Sequence, residues 1–237
     1  WLPSPEDARV QLTTADRPLP SDRSVRRHRA VLPPDDVVLR GGIPFTSVER
    51  TAIDLALGRP LRQALVALDS ASRVLALGEA ARTPAGRELL ASTAGRRLEE
   101  AARQRLGAAV ARAAGRTGSP SLPAALPWID PRSESPYESW SRGVLIDAGL
   151  VPEAVGLVVY GASGRRYFAD LAWVSRRLLG EVDGLTKYGD DPRTVRERLR
   201  SERHRQADLE DAGWRFVHWT AGERADVLVA RACRALH

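Results

Sequence analysis

The stretch "RRYFADLAWVSRRLLGEVDG", residues 165–184, contains two runs of strand-forming residues, "RRYFADLAWV" and "RRLLGEVDG", joined by the short link "VSRR". Three carboxylates stand in these runs where apolar residues would cost less: Asp170 in the first, Glu181 and Asp183 in the second. Residues two apart in a strand share a face, so Glu181 and Asp183 point the same way. Pairing the two strands across the short link puts Asp170 on that side as well. Several carboxylates buried together are costly unless a cation compensates them. A divalent metal held by Asp and Glu oxygens is a common solution. Taken singly, each acid is better explained by a strand end facing water or by an arginine partner. In consecutive strands, beside a glycine and the sole lysine of the chain, the site reading leads.

The flanking segments supply the rest of a domain over residues 136–237. "SPYESWSRGVLIDAG" predicts a helix with Ser135 as N-cap, Pro136 in the first helical position and Gly149 at its end. "EAVGLVVYG" is a strand joined to the next by the turn "ASGR". "DDPRTVRERLRSERHRQADLEDAG" is a long helix with Asp191 as N-cap and Gly213 as C-cap. "WRFVHWT" alternates as a strand, and "ADVLVARACRALH" closes the chain as a helix. The order is helix, three strands, helix, strand. Trp140, Trp173, Trp214 and Trp219 read as core, and His218 as structural.

Residues 1–58 read as a small α+β segment. "ARVQLTT" and "SVRRHRA" are short strands, and "LPPDDVVLRGGIPF" is strand, Gly-Gly turn, strand. "TSVE" predicts a capping box with Thr46 as N-cap and Glu49 at the third helical position. The helix that follows buries Val48, Ile53 and Leu57 and stops at Gly58. Residues 59–116 are helical, with Leu61, Leu65, Leu68 and Val74 on one stripe and a break at Gly95 or Gly107. Residues 117–135 are proline-rich and read as a linker.

The chain has 237 residues, 43% of them hydrophobic, and a net charge of +6. All but one of its 36 basic residues are arginine; the exception is Lys187. The charge favours an anionic partner, nucleic acid being the commonest, although an arginine-rich composition raises pI without any binding site. A single cysteine, Cys233, excludes an intrachain disulfide and a cysteine zinc site and suits a reducing cytoplasm. No apolar run is long enough for a membrane span and no signal-peptide pattern is present. The chain holds no methionine and begins at Trp1, which predicts a fragment or processed product whose true N-terminus is missing.

Asp on the second strand and Glu-x-Asp on the third make the C-terminal domain resemble the PD-(D/E)XK nuclease fold. "SPYES", "FADLAW", "GEVDGLTKYG" and "LEDAGWRFVHW" are similar to a domain of unknown function related to very-short-patch-repair endonucleases. "GGIPFTSVERTAIDLAL" resembles the core of AbiEi-type antitoxin proteins of abortive-infection toxin–antitoxin systems. The resemblance covers roughly residues 5–57 and 130–221. It implies an α/β, restriction-endonuclease-like C-terminal domain with an αβββαβ core, preceded by a small α+β and helical region. It also implies Mg²⁺ or Mn²⁺ held by Asp170 and Glu181, with Glu138 completing the site. Glu138 has a structural explanation too, as part of a Ser135-x-x-Glu138 capping box or as a partner of Arg142.

Where the family has Glu-x-Lys, this chain has Glu181-Val182-Asp183. Asp183 is then a further ligand or orienting base. Lys187, from the following loop, is the candidate substitute cation, because lysine is compact and titratable where arginine is not. Arg203 and Arg205 on the long helix are candidate phosphate contacts. Tyr188 stacks on a base or merely packs. The functional expectation is a metal-dependent DNA endonuclease. The alternative is a catalytically inactive nuclease-fold effector of an antitoxin-like regulator that binds DNA or a protein partner. A helical interaction module with incidental acids is the blandest reading.

Overall fold

A computed structural model describes residues 9–16, 20–184 and 192–237, with the backbone alone at 192–196, 198 and 199. Val10–Thr14 (β1) and Val25–Arg29 (β2) pair in parallel. Val37–Arg40 (β3) and Ile43–Thr46 (β4) form a hairpin. Gly41 and Gly42 turn it with φ of 57° and 78°, the left-handed pair that a two-residue hairpin loop requires.

Helix Val48–Ala56 (α1) is capped one residue later than expected. Ser47, not Thr46, accepts from the Arg50 N–H at 3.1 Å. Thr46 bonds the Thr51 hydroxyl instead, and Glu49 pairs with Arg105. Leu61–Leu77 (α2) buries Leu65 and Leu68 completely, whereas Val74 is 38% exposed. Six residues beyond Leu68 do not return to the same helix face, while seven do, and Leu75 packs on the core in its place. Pro84–Leu90 (α3) follows. Thr93–Arg112 (α4) contains both Gly95 and Gly107, so neither breaks the helix. The break falls just before α4, where Ser92 caps it.

The proline-rich stretch expected as a linker folds into short helical turns around Leu122–Ala125 (α5). Leu122, Ala125 and Ile129 are buried in the same core as α1, α2 and α4.

Pro136–Asp147 (α6) is capped by Ser135 as expected and ends before Gly149, whose φ is 74°. It packs directly on α2. A Cβ on Gly143 would lie 2.3 Å from Arg62 Cα, so only glycine permits this approach. Arg142 does not pair with Glu138. It reaches the fully buried Asp69 of α2 at 2.7 Å.

Ala154–Tyr160 (β5), Arg166–Trp173 (β6), Leu178–Asp183 (β7) and Arg215–Thr220 (β8) form one sheet in that order. The first three run antiparallel, and β8 returns parallel to β7 after Pro192–Asp211 (α7). Ala225–Leu236 (α8) closes the chain. Leu171, Trp173, Leu178, Val217 and Trp219 pack with α6 and α8 on one face. Ala172, Leu179 and Trp214 pack with Leu209 of α7 on the other. Trp140 is half-buried against the first of these cores. Gly213 ends α7 with φ of 86°. The N-cap position Asp191 lies outside the described residues. The molecule is thus α+β, with a helix–strand–strand–strand–helix–strand unit from α6 to β8. No helix among the described residues is long and apolar enough to cross a membrane.

Candidate functional site

The β6–β7 ladder pairs Trp173 with Leu178, Ala172 with Leu179, and Leu171 with Gly180. One step further, the register sets Asp170 opposite Glu181. Here the ladder ends, and the Asp170 side chain takes over: its Oδ2 accepts the Val182 N–H at 2.9 Å. Gly180 can precede Glu181 because Trp219 lies over it, and a Cβ there would meet the indole at 2.7 Å.

Glu181 shares the α7 face with Leu179. Its Oε1 accepts from Arg205 Nη2 at 2.7 Å. The same nitrogen donates to the Phe168 carbonyl at 2.7 Å, and Arg205 Nη1 donates to Glu202. Glu138 lies in the first turn of α6, where its N–H is capped by Ser135 and its Oε2 accepts the Glu134 N–H at 2.7 Å. Glu138 and Glu181 are 8% and 9% exposed, and Asp170 is partly buried.

Like charges held close in a desolvated place resist ionisation. Burial, then the charge of Asp170, pushes Glu138 up to about 7. The same two causes push Glu181 up to about 8, against the opposing pull of Arg205. Burial raises Asp170 as well, opposed by the Val182 N–H and by Arg87 and Arg205.

Two arginines from the helical region reach this corner. Arg73 of α2 bonds Glu134 at 3.0 Å, and Arg87 of α3 bonds it through Nε at 2.9 Å. Together they hold the Glu134 carboxyl below its usual range despite burial. Two guanidiniums lie over the Phe168 ring, Arg87 at 5.1 Å and Arg166 at 4.8 Å from its centroid. Arg73, Arg87, Glu138 and Asp170 line a small cavity of about 10 Å³, room for roughly one water. An open groove of about 630 Å³ lies beside it, sharing Arg73, Arg87, Glu134 and Phe168.

The structure therefore gathers Asp170, Glu181 and Glu138 into one buried acid cluster. Asp183 does not join it. It lies at the exposed end of β7, with Oδ1 3.6 Å from His218 Nδ1. Arg205 is in the cluster, bound to Glu181, while Arg203 is exposed on α7. Lys187 and Tyr188 lie outside the described residues. Arg87, Arg73 and Glu134 were not legible in the sequence. "TPAGRELL" and "PRSESP" carry no chemical pattern, and only tertiary packing brings them to Asp170.

Carboxylate oxygens suit a hard cation such as Mg²⁺ or Mn²⁺. Burial is the first cause of the raised values of these acids, and the charge of Asp170 adds to it at both glutamates. Among the described residues no group of three or more His, Cys, Asp or Glu side chains is gathered closely enough to hold a metal. A cation here would rest on Asp170 and Glu181, with water and substrate oxygens filling the other positions, as Mg²⁺ commonly does.

No family model matches the chain, and no solved structure matches it. The chain is similar to two uncharacterized proteins of Mycobacterium tuberculosis, MT2308 of strain CDC 1551 / Oshkosh and Rv2248 of strain ATCC 25618 / H37Rv. Each is 31% identical over 131 residues, which cover 55% of this chain. The match spans 46% of the length of either relative, so the chain corresponds to about half of the curated proteins it matches.

Proposed function

We propose that residues 136–237 form a restriction-endonuclease-like core that hydrolyses phosphodiester bonds in DNA with the help of Mg²⁺ or Mn²⁺. One juxtaposition carries this reading. Asp170 and Glu181 face each other on neighbouring strands of an α6-β5-β6-β7-α7-β8 unit, Asp170 half-buried and Glu181 buried, with the buried Glu138 within reach of the Asp170 charge. A bound divalent cation supplies charge neutralisation and polarises water and phosphate oxygens.

The chain's own residues do the rest. Asp170 and Glu181 offer oxygens on one side of the sheet edge, and the Val182 N–H fixes the Asp170 rotamer. Glu138, poised at about 7, gives or takes a proton near neutral pH. Arg205 is anchored on Glu202 and the Phe168 carbonyl, so the Nη2 N–H it now gives to Glu181 would be free for a phosphate oxygen if Glu181 held a cation instead. Lys187 is retained as the candidate for the role that the family gives to the lysine of Glu-x-Lys. The test is cleavage of supercoiled plasmid. Glu181→Ala is expected to lose nicking and keep DNA binding; a variant that still nicks contradicts the assignment.

A second reading has its own support. The Glu181–Arg205 pair already satisfies one acid, and Asp183 occupies the family's lysine position at an exposed strand end. On this reading the domain is an inactive effector of an antitoxin-like regulator that binds DNA or a protein partner. DNA binding would then fall steeply with salt and need no metal.

A further inference from the structure

The segment "SVERTAIDLAL" places Arg50 and Asp54 one turn apart on α1, far from any role in the acid cluster. They belong to a second charged group. Arg50 Nε bonds Asp54 at 2.9 Å, and its Nη1 bonds Asp36 at 3.0 Å and the Val31 carbonyl at 2.9 Å. From the end of α4, Arg112 reaches Asp36 at 3.2 Å, and Arg116 beyond it pairs with Asp54. Arg50 is 3% exposed and Asp36 6%. Buried ion pairs are weak sources of stability. This group is also unbalanced, with three guanidiniums against two carboxylates. Arg50 Nη2 is buried with no hydrogen-bond partner, a condition that native interiors rarely leave unexplained.

Arg50, Asp36, Arg112 and Arg116 line a cavity of about 570 Å³. Ligand pockets typically hold roughly 300–1,000 Å³. Arg29, exposed at the end of β2, adds a fourth guanidinium to the lining, with no acidic partner among the described residues. Ile53, Leu57, Ala109 and Ala113 make an apolar wall. Four guanidiniums against Asp36 and Asp54 leave a surplus of two positive charges. A phosphate monoester carries about −1.5 to −2 at neutral pH, and guanidinium forks match its oxygens.

We infer that this cavity is a binding site for a small organic phosphate, its phosphate on the arginines and its carbon body on the apolar wall. The site shares no residue with the acid cluster and stands or falls independently of the nuclease reading.

The test follows the thermal unfolding midpoint of the full chain with adenosine 5′-monophosphate, inorganic phosphate, or sodium chloride at matched ionic strength. The nucleotide is expected to raise the wild-type midpoint saturably, by roughly 5–10 °C at a hundredfold excess over Kd. Inorganic phosphate should require at least about tenfold more to match it, because it leaves the apolar wall unused. Arg29→Glu and Arg112→Gln should abolish the shift, and Asp170→Asn/Glu181→Gln should leave it intact. Arg29 is exposed, so its variant decides the matter even if Arg112→Gln fails to fold. The inference is overturned by no saturable shift in the wild type, by an equal shift in Arg29→Glu, or by inorganic phosphate saturating at the nucleotide's concentration.

Discussion

Asp170 and Glu181 lie opposite one another where the β6–β7 ladder ends, and the Asp170 carboxylate takes the N–H of Val182 at 2.9 Å in place of the next backbone rung. Like charges directly across a sheet destabilise it. The fold tolerates this pair through one backbone donor, through Arg205, and by holding the Glu181 carboxyl protonated well above its ordinary range. This cost, kept in an otherwise consistent fold, is the observation on which the nuclease proposal rests.

The acids make stability fall as pH rises. Glu138 and Glu181 sit at about 7 and about 8 in the folded chain against 4.5 for an ordinary glutamate. Between those values the folded form binds more protons than the unfolded form. Their contribution is therefore fully present below about 4.5 and is lost as pH climbs through 7 to 8. At about 1.36 kcal/mol per pH unit, the two rises together set an upper limit of about 8 kcal/mol on the loss. Urea denaturation from pH 5 to pH 9 measures it, and Glu181→Gln should flatten the slope. A wild-type slope unchanged in the variant contradicts the assignment.

Asp170→Asn separates folding from function. The amide oxygen still accepts from Val182, while the charge that pushes up both glutamates is gone. The variant should be more stable than wild type at pH 8 by about 1 kcal/mol and should bind no divalent cation. Lower stability than wild type at that pH would show that the charge is compensated.

Arg142 and Asp69 tie the helical region to α6 through a pair that is 5% and 0% exposed at the side chains. Removing one partner strands the other, so Arg142→Ala should cost about 3–5 kcal/mol. Replacing both with apolar residues, as in Asp69→Leu/Arg142→Met, should recover most of that loss. Equal losses in single and double variants, by chemical denaturation, would assign the effect to packing instead.

Gly143→Ala places a methyl 2.3 Å from Arg62 Cα, a backbone atom with no freedom to rotate away. The two helices must separate, and a cost of about 1–3 kcal/mol is expected. A thermal midpoint equal to the wild type would mean that α2 and α6 are not held at this distance.

The C-terminal unit was legible because each element carries local signals. Ser135-Pro136 opens a helix, Gly213 closes one, and alternation marks the strands around Asp170 and Glu181. The Asp170–Glu181 pairing follows from the short link alone, since a tight connection fixes the antiparallel register. The cap of α1 moved by one residue because Thr46, Ser47 and Glu49 offer two overlapping capping patterns, and the hairpin keeps Thr46 in β4. Prolines in residues 117–135 suggested a tether, but Leu122, Ala125 and Ile129 have an apolar core to join. The Arg87–Glu134–Arg73 corner was invisible because its members stand 14 and 47 residues apart and carry no motif.

The central claim is best tested by calorimetric titration of Mn²⁺ and Mg²⁺ into the wild type and into Asp170→Asn/Glu181→Gln, with supercoiled plasmid incubated in parallel. Titration at pH 7.5 in two buffers of different ionisation enthalpy also counts protons, because ligation must deprotonate Glu181, which sits at about 8. The nuclease reading requires saturable binding with proton release and plasmid nicking in the wild type, and none of these in the variant. Equal heats in both proteins and intact plasmid throughout would contradict it and leave the buried acids without a catalytic role.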